Sequence, residues 1–431
     1  MPATFLTERR KSILLIVFAG LGGLGLLARA GYLAVTGITS FTSGATTGLD
    51  DLSSGVLGAA GMLFCLLPLA AMIYDNSRQL QARTLPAGHL PPVKLWQVFA
   101  LGFIWLMILL LGSLLTTVWK YGWAPLAVVF PLGVALPAMI LAWVAGGGLI
   151  SSGTRRRLVS VFGIALVGST TLAIAAEYLV VLLGVLVLGL STLVHPEWRS
   201  LILQLKDQVS NASDVQAIVT LLAPYLSNPL VLLTVLAFVA GIGPMIEEAF
   251  KPLAVWLVGR RLQSPAEGFA LGALSGAAFA LLEGLTAASG APNQWGIGIG
   301  GRAFSSLMHI TASGIVGWGI ASALVDRKPL RLAGAYITAV LIHGLWNGSV
   351  VLLVYGGLQS MLTPGQQVDF ASGMLMLAGL GAILLLLGVV ILFLPLFNRK
   401  LRPAVPDLLV AAPATPAPSE PPAGETPAHP E

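Results

Sequence analysis

Apolar runs of about 20 residues recur from Lys11 to Asn398, and no other feature constrains this chain as tightly. A run of that length spans the roughly 30 Å hydrocarbon core of a bilayer as a helix. The expected fold is therefore all-α, a polytopic transmembrane helical bundle of about ten spans. Composition agrees: 56% of the 431 residues are hydrophobic and only 10% are charged, against about a quarter charged in soluble domains. A formal net charge of +5 does not make this a nucleic-acid binder, because the cations gather at the ends of apolar runs, where they orient helices. The single cysteine, Cys65, excludes an intramolecular disulfide framework and a cysteine-based metal cluster. The lipid bilayer is the partner that composition implies.

Hydropathy places the spans at about residues 12–34, 55–74, 96–118, 125–149, 158–194, 230–258, 268–289, 301–325, 333–355 and 372–394. The run 158–194 is long for one span; it is read as one overlong helix because that keeps the charge pattern regular. Residues 195–228 form the longest interior loop, whose mixed pattern predicts an interfacial helix on the outer side. Basic groups close every second span: Arg155 to Arg157, Arg260 with Arg261, Arg327 with Lys328, and Arg399 with Lys400. By the positive-inside rule both termini are then cytoplasmic. The tail after Pro403 is rich in Pro and Ala and cannot build a core, so disorder is expected there.

Four consecutive spans break the apolar rule. Glu247, Glu248 and Lys251 lie in the sixth, Glu283 in the seventh, His309 in the eighth, and His343 with Asn347 in the ninth. Ionisable groups at membrane depth cost roughly 2.5 to 3.5 kcal/mol each even on a mild insertion scale, so they require partners or a purpose. A lone buried histidine is ordinarily a satisfied polar group; four successive helices carrying Glu, Glu, His and His are a pattern. Glu247 and Lys251, four apart, share a helix face, while Glu248 lies about 100° around. Pro252 cannot donate to the carbonyl of residue 248, so the sixth helix is expected to bend at its carboxylates. On the seventh helix Gly268, Gly272, Gly276, Ala280 and Gly284 form a small-residue stripe suited to close packing, and Glu283 projects from nearly the same face. Ser305, Ser306 and Ser313 flank His309, and His343 and Asn347 share a face.

Carboxylates with imidazoles are an acid/base and ligand set for hydrolysis. A buried carboxylate can take a proton from water while an imidazole or amide donates to the developing oxyanion. Alternatively Glu283, His309 and His343 could ligate Zn²⁺ with an open position. Other signatures fail: there is no HExxH, no GxGD with a partner aspartate, and Thr311 to Gly314 lacks the first glycine of a GxSG serine motif. Buried Glu and His chains also mark proton-coupled transporters, and a non-catalytic membrane scaffold is a third reading. No repeat between the two halves supports transport.

The ordered set EExxK (Glu247, Glu248, Lys251), GxxFxxxE (Gly276, Phe279, Glu283), a helical His309, and HxxxN (His343, Asn347) resembles the PrsW family of intramembrane proteases, within the wider superfamily of CAAX-processing and bacteriocin-processing proteases. The likeness covers roughly residues 240 to 355. It implies a site-1-type endopeptidase that cleaves a membrane-anchored protein such as an anti-sigma factor, in a bacterial plasma membrane. By that likeness Glu247 and Glu248 activate water, Glu283 and His309 assist or ligate, His343 and Asn347 stabilise the oxyanion, and Lys251 and Phe279 support. CAAX-type relatives tend to carry Arg after EExxx and His at position 283; this chain has neither. The expected organisation is a membrane region over 1–228, a four-helix catalytic core over 229–356, a last span within 357–398, and a disordered cytoplasmic tail over 399–431. The roles of the first five spans and of Glu177 are open at this point.

Overall fold

The computed structural model describes residues 3–402 apart from 46, 151–153, 213–214, 227 and 363–368; the expected disordered tail beyond Arg402 lies outside the described residues. Nine helices among the described residues are long and apolar enough to cross a membrane, and the secondary structure is helical throughout except for one isolated bridge between Ala87 and Thr154. The helices are α1 (Ala3–Thr42), α2 (Gly48–Leu80, jogged at Cys65), α3 (Leu95–Val118), α4 (Phe130–Gly146), α5 (Arg155–Val194), α6 (Pro196–Ser210), α7 (Val215–Leu226), α8 (Pro229–Val258), α9 (Pro265–Ser289), α10 (Trp295–Leu324), α11 (Pro329–Leu362) and α12 (Phe370–Leu401). The long run after Arg155 is a single helix with a π-helical stretch at Ile164–Ser169. The interior loop holds two helices, α6 and α7, rather than one.

The expected fourth span, 125–149, is the exception. Only Phe130–Gly146 forms its main helix, 17 residues or about 25 Å at 1.5 Å per residue. Pro131 opens it, and the run Gly146 to Gly148, with Gly148 at φ +78°, closes it in a left-handed conformation that glycine adopts freely. Pro137 inside the helix has no N–H for the carbonyl of Gly133. The indole of Trp105 donates to that carbonyl instead, at 2.9 Å. Asn398 of α12 donates to the carbonyls of Ala145 and Gly147 at 2.8 and 3.0 Å, satisfying the helix end. This short helix is thus held by protein at both its interruption and its terminus.

α9 and α10 form the centre of the bundle and are almost wholly buried, whereas the other long helices are mostly unburied. The small-residue stripe explains their closeness. A side chain on Gly268 would strike the Gly317 carbonyl, one on Gly272 the Ser313 carbonyl, and one on Gly276 would come within 2.5 Å of the His309 carbonyl oxygen. Each step of four along α9 is matched by a step of four back along α10, fixing an antiparallel register. α9 begins with an N-cap at Ser264, whose Oγ accepts from the Glu267 backbone N–H, while the Glu267 carboxylate accepts from that of Gln263.

At one end of the bundle, ion pairs join four helices and the turn that follows α8. Arg155 grips the buried Asp75 through two contacts of 2.5 and 3.0 Å, Arg156 reaches Glu8 and Asn76, and Arg157 pairs with Glu267. Arg261 also pairs with Glu8. The ends that the charge pattern assigned to one side of the membrane therefore meet each other.

Candidate active site

The site begins with a failure of helix geometry in α8. After a π-helical stretch at Ala237–Ile242, Gly243–Phe250 is α-helical, Lys251 and Pro252 are a turn, and the helix resumes at Leu253. The Val255 N–H bonds to Pro252 rather than to Lys251. Besides the Glu248 carbonyl, to which Pro252 has no N–H to donate, the Lys251 carbonyl is set loose, and it accepts from the hydroxyls of Ser169 on α5, at 3.3 Å, and Ser275 on α9. The bend expected at the carboxylates is present, and neighbouring helices supply the hydrogen bonds it removes, as broken membrane helices require.

Everything then converges on one atom. Lys251 Nζ lies 2.7 Å from Glu248 Oε1, 2.9 Å from Glu247 Oε2, 2.7 Å from His309 Nδ1 and 3.3 Å from His343 Nδ1. Lys251 and Glu248 are fully enclosed, the two histidines nearly so, and Glu247 keeps 15% of its side chain accessible. The Phe279 ring lies 4.6 Å from the ammonium and 5.7 Å from the His309 ring, adding a cation–π contact on the remaining side. α8, α9, α10 and α11 thus contribute to one centre.

Partners fix the protons on the imidazoles, since a carboxylate only accepts. His309 Nε2 faces Glu283 Oε2 at 2.8 Å, so its proton sits on Nε2 and its Nδ1 lone pair faces the ammonium. His343 Nδ1 donates to Glu248 Oε1 at 2.9 Å, so its lone pair is on Nε2, which lies 3.8 Å from Glu247 Oε2. Glu283 stands one layer out, with Oε1 at 2.9 Å from Arg302 Nη2. Asn347 does not face the centre with both of its amide hydrogens: Nδ2 donates to the Val239 carbonyl in the π-helical stretch, at 2.9 Å. One of its N–H groups is therefore engaged in holding α11 to α8.

Sequence reading assigned no role to Arg302 and left that of Glu177 open. The α9–α10 register that sets Gly276 against His309 carries on to set Glu283 against Arg302, and the stripe of glycines was the signal for it. Glu177, on α5, approaches Gly243 and the Glu247 carboxylate, which brings a helix outside the four-helix core to the site. Arg302 holds Glu283, and Glu283 orients His309. Arg302→Met is expected to lower turnover about 10-fold, the scale for losing an outer partner of a functional histidine, with Arg302→Lys recovering part of it; full activity in Arg302→Met would remove Arg302 from the site.

The fold and the site together define a polytopic helical membrane protein with carboxylates and imidazoles gathered at a broken helix. Residues 154–380 match the family model described as PrsW family intramembrane metalloprotease, and the chain belongs to that family. The matched region reaches beyond the four motif-bearing helices to take in α5 with Glu177 and the start of α12. No curated protein and no solved structure matches the chain.

The family's description includes a metal, and the donor types suit one. Glu247, His309 and His343 each offer one ligand atom within 4.8 Å of the others, a carboxylate and two imidazoles of the kind that hold Zn²⁺. The trio considered from sequence had Glu283 in place of Glu247, but Glu283 meets His309 at Nε2, on the far side of the ring from Lys251. As arranged, the trio surrounds an ammonium. The only lone pair left on His309 faces Lys251 Nζ, so the trio would take a metal only if Lys251 withdrew.

Proposed function

We propose that this chain is an intramembrane endopeptidase that cleaves a membrane-anchored protein, with glutamate and histidine side chains activating the water. The observation that carries the reading is the convergence of Glu247, Glu248, His309 and His343 on one buried point at a break in α8. Glu247 is the carboxylate with access, so water reaches it; Glu248 is enclosed, and it orients His343 and balances Lys251. Water approaches the accessible edge of the Glu247 side chain, Oε2 itself being buried beside Lys251, and gives its proton to Glu247 as its oxygen adds to the scissile carbonyl. The negative charge that develops on the carbonyl oxygen is stabilised by the Lys251 ammonium through the low-dielectric surroundings. Glu247 then passes the proton to the departing nitrogen as the C–N bond breaks. The site-1-type role and a plasma-membrane location in bacteria belong to this same reading.

The test is cleavage by the purified chain in proteoliposomes of a single-span protein bearing an extramembrane domain, compared with the same cleavage sequence as a free peptide. The anchored protein is expected to be cut and the free peptide left largely intact. Failure to cut any anchored substrate, together with a proton flux that Glu247→Gln abolishes, would replace the peptidase reading with transport.

A further inference from the structure

Lys251 is the most completely partnered side chain in the molecule's centre, and its position has a consequence for the metal. An ammonium has three N–H groups; here Glu248 Oε1 and His309 Nδ1 accept from it, each at 2.7 Å, and the Glu247 carboxylate is ion-paired with it at 2.9 Å. We infer that Lys251 is the resident cation of this centre and excludes a divalent metal from it, its ammonium occupying the place among Glu247, His309 and His343 that the metal would need.

Three observations support this. A neutral imidazole has an in-plane lone pair on only one of its nitrogens, and with His309 Nε2 turned to Glu283 the Nδ1 lone pair is the one available to a metal; Lys251 holds it. Charge argues the same way. Glu247 and Glu248 bring two negative charges, Glu283 being paired with Arg302. One ammonium or one divalent ion suits that pair, whereas both together would set like charges side by side without solvent between them. The third observation is that Lys251 has little freedom to withdraw. Its carbonyl is pinned by Ser169 and Ser275, Pro252 restrains the next residue, Phe279 lies against the ammonium, and the side chain is enclosed on every side.

The inference deepens the proposed site but is read by metal binding, so it stands or falls separately from cleavage. Full-length protein in lipid nanodiscs, stripped by chelator, would be titrated calorimetrically with Zn²⁺. Wild type and Lys251→Arg are expected to bind no equivalent at the centre, while Lys251→Met binds one at least about 100-fold more tightly. That equivalent should vanish in Lys251→Met with His309→Ala. A wild-type protein that binds one Zn²⁺ as tightly as Lys251→Met, with the binding lost in His309→Ala, would overturn the inference; so would a folded Lys251→Met that gains no zinc. If Lys251→Met does not fold, the wild-type titration decides alone: one equivalent lost in His309→Ala overturns the inference, and none supports it.

Discussion

Glu247→Gln is expected to reduce cleavage of an anchored substrate by about 10³-fold in proteoliposomes, within the range of 10² to 10⁴ that a positioned general base supplies. The amide keeps an oxygen that can accept from Lys251 but cannot take a proton from water. Because Glu247 is the partly accessible member of the pair, the substitution should leave the fold intact, which the unfolding transition of the purified variant would verify. Glu248→Gln is a different experiment: Glu248 is fully enclosed and accepts from both Lys251 and His343. Losing its charge disturbs the ammonium and the His343 proton together, so stability as well as rate should fall. A folded Glu247→Gln that retains a tenth of the wild-type rate would exclude Glu247 as the base.

Gly272→Leu should destabilise the bundle by about 3 kcal/mol, the upper part of the usual range for overpacking, because its side chain would enter the backbone of α10 at Ser313 and Gly317. The surrounding contacts are backbone and cannot yield as a flexible side chain would. Forcing α9 from α10 also separates Glu283 from His309 and Arg302, so activity should be lost along with stability. Gly300→Leu is the control. It lies on α10 with open space around it, and its effect should stay within about 0.5 kcal/mol. Unfolding of the two variants in a denaturing detergent, monitored by circular dichroism, makes the comparison; equal stability would show that the stripe does not set the packing.

Much of this architecture was legible because the bilayer makes sequence unusually literal. Helix number and order follow from apolar runs that have no other stable solution, and the one span that fell short, α4, did so at Pro131, Pro137 and the glycines after it, whose effect on length depends on what caps the freed carbonyls. The four site helices were legible because Glu, His and Lys are too costly at depth to be incidental. What the sequence could not carry was direction. It paired Lys251 with one acid, whereas the ammonium is shared by two acids and an imidazole; it set Glu283 among the ligands, whereas Glu283 buttresses His309 from behind. It anticipated that Pro252 leaves the carbonyl of residue 248 without its helical donor, but not that the carbonyl of Lys251 is released as well and taken up by Ser169 and Ser275. Side-chain azimuth at a broken helix depends on the break itself.

The uneven burial of the helices has a mechanical meaning. Glu283, Arg302 and His309 ride on α9 and α10, which are almost wholly buried, while Glu247, Glu248, Lys251 and His343 ride on α8 and α11, which are mostly unburied on the outside of the bundle. The centre is therefore a joint between a strut fixed in protein and two helices borne by the membrane. Helices in contact with lipid answer a change in hydrocarbon thickness by tilting, and any such tilt moves one half of this joint against the other.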